Sequence, residues 1–286
     1  MIRRAESDAD LAAYARIWSS VYPEKPLGGE EVRRRAAERT DGRQYLLAHV
    51  DEEAVGTGFA SRTSVDGRAA VLVSVVPSFR NRGLGAALLE ASERVAHELG
   101  CSSGVGQLSE EHLGWAERRR YGEFDREIEL VLDLRGDEQP PRPEGIEIGE
   151  LVEHELEAAF RVVAAGVADV PAAEPFDSSF DRWRNELAGA PLVLVARERG
   201  RIVGYAELER RTDDVLGHNF TTVARSHRRR GIARALKQAQ IAWAAGHGCR
   251  RLTTSTHLAN AATRRLNASL GYRPLAPVIW VRKEFA

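Results

Sequence analysis

Apolar positions recur at three- and four-residue spacing in two long stretches of the chain. In the first, Leu84, Ala87, Leu88, Ala91, Val95 and Leu99 share one helical face. In the second, Ile232, Ala235, Leu236, Ala239 and Trp243 do the same. That period predicts two amphipathic helices, closed by Gly100 and Gly248 as left-handed caps. Shorter helical patterns are predicted over 8–20, 30–39, 150–165, 180–187 and 260–270. Strands are predicted over 44–50, 54–61 and 70–76, and again over 192–197, 202–208 and 218–223. A strand at 128–134 is expected to close the first half, and strands near 252–256 and 278–283 to finish the second. Strand, helix, strand in this order implies a parallel crossover, so the fold class is α/β with a mixed sheet.

The two halves are copies of each other. Residues 45–134 overlay 193–282 with one constant offset of 148 and no gap. Under it Ala48 meets Ala196, Val55-Gly56 meets Val203-Gly204, Arg80 meets Arg228, and Gly100-Cys101 meets Gly248-Cys249. A repeat this long is a whole domain rather than a solenoid unit. Between the copies, Arg135 to Gly145 carries prolines and glycines in a charged stretch that holds neither helix nor central strand. The predicted division is a domain over 1–137, a linker over 138–145 and a domain over 146–286.

Composition narrows the classes without choosing among them. The net charge of −1 gives no reason to expect nucleic acid or an anionic membrane as a partner. No apolar run approaches the roughly 18 residues of a membrane span, and the opening MIRRAESDAD lacks the apolar core of a secretory signal. The only cysteines, Cys101 and Cys249, occupy the same place in separate copies, which reads as a cytoplasmic, reducing setting. No His, Cys and acidic spacing resembles a metal site. A tandem chain can mimic a dimer of single domains, so a monomer or weak dimer is expected.

The best-matched stretch is a loop that joins strand to helix. It reads Arg80-Asn81-Arg82-Gly83-Leu84-Gly85 in the first copy and Arg228-Arg229-Arg230-Gly231-Ile232-Ala233 in the second. Small residues let the backbone approach a ligand. The free N–H groups and positive dipole end of the first helical turn favour an anion there. Arginines add forked donors suited to phosphate. Neither a P-loop nor a dinucleotide fingerprint is present. Arg-x-x-Gly-x-Gly/Ala between strand and helix resembles instead the pyrophosphate loop of the GCN5-related N-acetyltransferases (GNATs). Two matches in the same context make the resemblance specific, and it covers nearly all of both copies. The whole chain resembles a tandem member of that family, similar in layout to mycothiol-synthase-like proteins. This resemblance implies two GNAT-like domains, each a mixed, mostly antiparallel sheet flanked by helices.

The second family signature is clearest in the second copy, where Asn260 to Tyr272 is similar to the helix beside the pantetheine arm. The position that often carries a tyrosine acid is here Asn267. At the constant offset the first copy has His112 for Asn260, Arg119 for Asn267 and Phe124 for Tyr272, so its second signature has decayed. The resemblance implies acetyl-CoA as cosubstrate, held by Thr222, Val223, Arg228 to Ala233 and Asn260, and in the first copy by Val75, Val76 and Arg80 to Gly85. It implies direct attack of a primary amine, most simply that of a small molecule, in the second domain. The amine arrives as an ammonium with a pKa near ~10 and must lose a proton. Glu207 or His218 is the expected base, with Asp214 as a further candidate, and Asn267 the residue near the sulfur. A backbone N–H near Thr222–Val223 is the expected oxyanion donor. Two alternatives remain open: a non-catalytic CoA-binding sensor or interaction module, and a protein N-acetyltransferase.

Overall fold

The computed structural model describes residues 1–38, 41–63, 65–134, 143–170 and 179–285. Most of the predicted linker at 138–145 lies outside them. In chain order the elements are β1 (Ile2–Arg4), α1 (Asp8–Val21), α2 (Gly29–Glu38), β2 (Gln44–Val50), β3 (Glu53–Arg62), β4 (Arg68–Val75), α3 (Leu84–Glu98), β5 (Ser103–Ser109), α4 (Leu113–Glu117) and β6 (Gly122–Asp133). The second copy follows as β7 (Glu147–Glu150), α5 (Leu156–Val167), α6 (Phe180–Leu187), β8 (Leu192–Glu198), β9 (Arg201–Arg210), β10 (Val215–Val223), α7 (Ile232–Gly246), β11 (Arg251–His257), α8 (Ala261–Ser269) and β12 (Arg273–Glu284). The chain divides into two compact units. Unit 1 holds Met1–Glu127 and 276–285, and unit 2 holds 128–170 and 179–275. Each is α/β with a mixed, mostly antiparallel sheet flanked by helices.

The terminal strands therefore do not stay with their own copies. The second half of β6 packs in unit 2, where Leu130 and Leu132 join the apolar core and the Leu134 N–H donates to the Arg250 carbonyl. Most of β12 lies in unit 1, paired antiparallel with β5 from Val278↔Ser109 to Glu284↔Ser103. The expectation that strands 128–134 and 278–283 close their own halves is corrected accordingly. In a repeat the sibling strand offers the same alternation of apolar and polar positions, so either strand can cover the same sheet edge.

The constant offset also fails near the end of each copy. The Tyr121 N–H donates to the Ala116 carbonyl, and the Tyr272 N–H to the Asn267 carbonyl, in the same helix-terminating turn. Tyr121 therefore corresponds to Tyr272, Arg120 to Gly271 and Ala116 to Asn267. Helix α8 has nine residues where α4 has five. The pairing of Arg119 with Asn267 and of Phe124 with Tyr272 is overturned by this length difference, which an ungapped overlay cannot register.

Helices α3 and α7 dock on the sheet as their apolar stripes require. Leu88 and Leu236 are fully buried, worth about 1.5–3 kcal/mol each. A Cβ at Gly56 would stand 2.9 Å from Leu88 Cδ1, and one at Gly204 3.0 Å from Leu236 Cδ1. Both copies keep glycine there because the helix lies directly on the strand. On the opposite face of unit 2, α5 packs still more closely. A Cβ at Gly166 would lie 2.1 Å from Thr222 Oγ1 and 2.6 Å from Thr222 Cβ. Gly166→Ala is expected to destabilise the chain by about 1–3 kcal/mol through overpacking, although alanine is the better helix former. Urea unfolding measures this, and a midpoint at or above that of the unsubstituted chain would contradict the close approach.

Candidate functional site

In both units the parallel strand pair at the centre of the sheet holds together only briefly. β4 meets β5 from Arg68↔Ser103 to Ala70↔Val105, and β10 meets β11 from Val215↔Arg251 to Gly217↔Thr253. Beyond those residues the strands part and leave a wedge. The strand backbone along its side lacks a parallel neighbour, so it has main-chain groups to offer a ligand. The loop at the wedge mouth has the same shape in both copies. Asn81 (φ 62°) and Arg229 (φ 66°) are left-handed, as are Gly83 (φ 81°) and Gly231 (φ 79°). Alternating hands turn successive N–H groups inward as an anion nest. The N–H groups of 81–85 and 229–233 meet no acceptor among the described residues. A Cβ built on Gly83 or Gly231 would find no atom within 4 Å. Both loops thus offer bare amides to open space, as a pyrophosphate cradle requires.

The arginines serve the loop differently from expectation. Arg80 Nε donates to the Val75 carbonyl at 3.1 Å and Arg228 Nε to the Val223 carbonyl at 3.0 Å. Each therefore braces the strand end. In unit 2 Arg228 and Arg230 also have acidic partners. Asp169 pairs with Arg225 and Arg228, and these hydrogen bonds hold its carboxyl below the usual range. Glu198 pairs with Arg230 and His227, which likewise depress it. Arg229 has no such partner among the described residues. In unit 1 Arg82 lies 5.2 Å over the Phe79 ring.

The two wedges differ within. β10 carries a bulge, its register against β9 shifting between His218 and Thr221, whereas β4 runs along β3 from Gly56↔Val75 to Arg62↔Ala69 without a shift. A bulge re-aims side chains and frees a main-chain group. Beside it Glu207 is 6% exposed. Its carboxylate accepts from Tyr205 Oη at 2.7 Å and from Asn219 Nδ2 at 2.9 Å. Burial pushes its pKa up. Asn219 is exposed and links the carboxylate to the surface. The Trp183 ring, 6.0 Å from Tyr205, and Phe160 and Phe180 cover this face. In unit 1 Phe59 stands in the place of Glu207. There aromatic side chains stand near the loop and near β4. Trp115 Cζ2 would be 3.6 Å from a Cβ at Gly85, and Tyr22 Oη lies 3.3 Å from Ser74 Oγ.

Glu207 and His218, the two candidate bases, lie on opposite faces of the sheet. His218 stands across from Leu208, and neighbouring strand positions alternate. The imidazole meets Gln240 Oε1 on α7 at 2.9 Å through Nδ1 and Tyr272 Oη through Nε2. Burial, and next the Lys237 charge, push its pKa well down. Lys237 is itself buried, its ammonium 5.6 Å from the Tyr272 ring centroid, and burial lowers its pKa to about 7. Asp214 lies at the other end of β10 from the loop, bonded to Thr212 and Arg250. Asn260 caps α8, its Oδ1 accepting from the Thr263 N–H at 3.1 Å. Asn267 is fully buried, and both its amide atoms lack partners among the described residues. Thr222 and Val223 end β10 beside the loop and are buried; Ile232 and Ala233 begin α7. In unit 1 Ser74 and Val75 take the matching places, and Val76 follows β4 where Ala224 follows β10.

Tyr205, Asn219, Asp169, Glu198, Lys237 and Gln240 were not anticipated. Lys237 and Gln240 left a signal, being polar at three-residue spacing on an otherwise apolar helix stripe. Asn219 left none, because its aim depends on the bulge. Among the described residues no group of three His, Cys, Asp or Glu side chains could hold a metal ion, and no helix is long and apolar enough to cross a membrane.

A splayed central strand pair with a bare-amide loop at its mouth defines an α/β fold built to take an anion there. The profile of the acetyltransferase (GNAT) family matches residues 11–113 and 152–272. The chain belongs to that family, twice over. Over 93 residues it is 34% identical to aminoglycoside N(6')-acetyltransferase type 1 of Serratia marcescens, a match covering 29% of this chain and 63% of that protein. Two solved structures share its fold along nearly their whole length. The tandem GNAT protein from the clavulanic acid biosynthesis pathway superposes with a TM-score of 0.78 at 17% identity, covering 99% of this chain and 98% of that one. A GCN5-related N-acetyltransferase from Sphaerobacter thermophilus gives 0.75 at 21% identity, covering 99% and 95%.

Proposed function

We propose that the chain is an acetyl-CoA-dependent N-acetyltransferase in which unit 2 acetylates a primary amine of a small molecule. The observation that carries this reading is the buried Glu207 carboxylate beside the bulge, in a copy whose sibling has Phe59 at that place and no bulge. Acetyl-CoA supplies the acetyl group as an activated thioester. The N–H groups of 229–233 suit its pyrophosphate, and the backbone of β10 past the bulge suits the pantetheine and the acetyl carbonyl. Of the residues at that end, Val223 offers the main-chain N–H, since Thr222 and Ala224 turn theirs toward β9. Glu207, ionised, takes the proton of the incoming ammonium directly or through a water, while Asn219 donates to its carboxylate. Tyr205 holds the carboxylate in place. The roof of Phe160, Phe180 and Trp183 supports a compact acceptor over a protein chain. Unit 1 has neither the carboxylate nor the bulge, and acts as the non-catalytic copy.

Release of free thiol from acetyl-CoA, followed over a panel of small amines, tests this reading. At least one amine is expected to raise the rate well above slow hydrolysis. Tight CoA binding with no amine-dependent thiol release would favour the sensor reading, and acetylation confined to peptide amines would favour a protein acetyltransferase.

A further inference from the structure

Unit 1 carries a cavity that the acetyl-transfer reading does not use. Its volume is about 450 Å³, and it runs beside α3 from Ala86 to His97. The consecutive residues Arg118, Arg119 and Arg120 line it, with Lys283 opposite. Its two carboxylates are already taken. Glu93 accepts from Lys283 Nζ at 2.8 Å and from Tyr121 Oη at 2.9 Å, and Glu90 pairs with Arg94 at 3.1 Å. Arg118 and Arg120 make no ion pair or hydrogen bond through their guanidinium groups among the described residues. The cavity is therefore left with uncompensated positive charge and forked donors. At one end the Phe285 ring packs against His97 at a tilt of 44°, with centroids 4.8 Å apart, and the two rings offer aromatic faces to a planar group.

A second observation supports a built site rather than a solvated charge run. Arg120 terminates α4 in the left-handed conformation, φ 68°. In unit 2 the corresponding residue is Gly271, φ 86°, the residue type that such a turn favours. Unit 1 keeps an arginine at a position where glycine is less strained. The turn brings three successive arginines to the lining of one cavity. Unit 2 has Ser269, Leu270 and Gly271 there and no such charge.

The cavity is separate from the cofactor loop of its own unit. Trp115 packs over Gly85 on the loop side, and the Arg119 guanidinium stacks 4.1 Å from the Trp115 ring on the cavity side. Arg119 also donates to the Trp115 carbonyl at 3.0 Å. This stacked pair walls one space from the other. We propose that the cavity binds a small phosphorylated metabolite with a flat apolar part, its phosphates on Arg118 and Arg120 and its flat part toward Phe285 and His97.

Calorimetry on the full chain saturated with CoA tests this, with ADP and inorganic pyrophosphate as probes. One ADP is expected to bind per chain. Pyrophosphate is expected to bind more weakly, because it lacks the flat part. R118E/R120E should weaken ADP binding about 100-fold, for the loss of two charge-assisted contacts, while leaving CoA affinity and the cooperative thermal transition unchanged. R118Q/R120Q, which removes charge without reversing it, should give an intermediate loss. ADP binding lost in Gly83→Asp or Gly231→Asp but kept in R118E/R120E would assign the anion to a cofactor groove and overturn the proposal. So would an absence of binding by either probe, or equal binding by the arginine variants.

Discussion

Gly231→Asp is expected to abolish measurable acetyl-CoA binding in unit 2 while leaving the chain folded. Nothing lies within 4 Å of the place where a Cβ would go, so the new side chain strikes no protein atom. It projects instead into the space faced by the N–H groups of 229–233. Aspartate is also among the few residues that tolerate the left-handed backbone held here at φ 79°. The energetic effect therefore falls on the ligand. A carboxylate at this point competes for the same amides and repels the pyrophosphate. Loss of even one or two charge-assisted bonds, at about 1.5–3 kcal/mol each, amounts to roughly 3 kcal/mol, a weakening of ~100-fold or more. Gly83→Asp makes the same change in unit 1 and is expected to leave the unit 2 site intact. Calorimetric titration of both variants separates the units. Unchanged affinity in Gly231→Asp would mean that the amides do not hold the cofactor.

How much of this was legible in the residues differs from one feature to the next. The loops were, because a loop that must expose main-chain amides needs residues without bulky side chains at fixed places, and the same places recur in both copies. Helices α3 and α7 were, because an amphipathic stripe has one way to bury itself. The repeated Gly56 and Gly204 were visible as a match, but their reason, the approach of Leu88 and Leu236, is a matter of packing. Strands β1 and β7 were missed, being too short to show alternation. The left-handed Arg120 masked the equivalence of Tyr121 and Tyr272, since an arginine does not announce a helix end as Gly271 does. The faces of Glu207 and His218 follow from strand alternation, but the bulge between 218 and 221, which decides what stands beside Glu207, leaves no mark in a single sequence. The partners of Asp169 and Glu198 are set by chain segments far apart in sequence.

Glu207→Gln separates chemistry from binding, and it does so with opposite signs on activity and stability. Removing a general base lowers turnover about 10²–10⁴-fold, while acetyl-CoA affinity, which rests on the 229–233 amides, is expected to hold. Glutamine keeps the shape and can still bond Tyr205 and Asn219. Burial raises the Glu207 pKa in the folded chain, so folding favours its protonated form. The stability contributed by that neutral form is fully present below the unfolded-state pKa and is lost as pH rises through the folded-state value. Glutamine is neutral throughout. The variant should therefore melt at nearly the wild-type temperature in acid and above it at neutral pH and beyond. In the wild type kcat/KM should climb with pH through an inflection above the ordinary glutamate value of about 4.3, and in the variant that limb should vanish. His218→Gln offers the contrast. It breaks a buried pair of hydrogen bonds on the opposite face and should destabilise the chain by about 1–3 kcal/mol without removing the limb. A Glu207→Gln enzyme that turns over at the wild-type rate with the same pH profile would end the assignment of Glu207 as base.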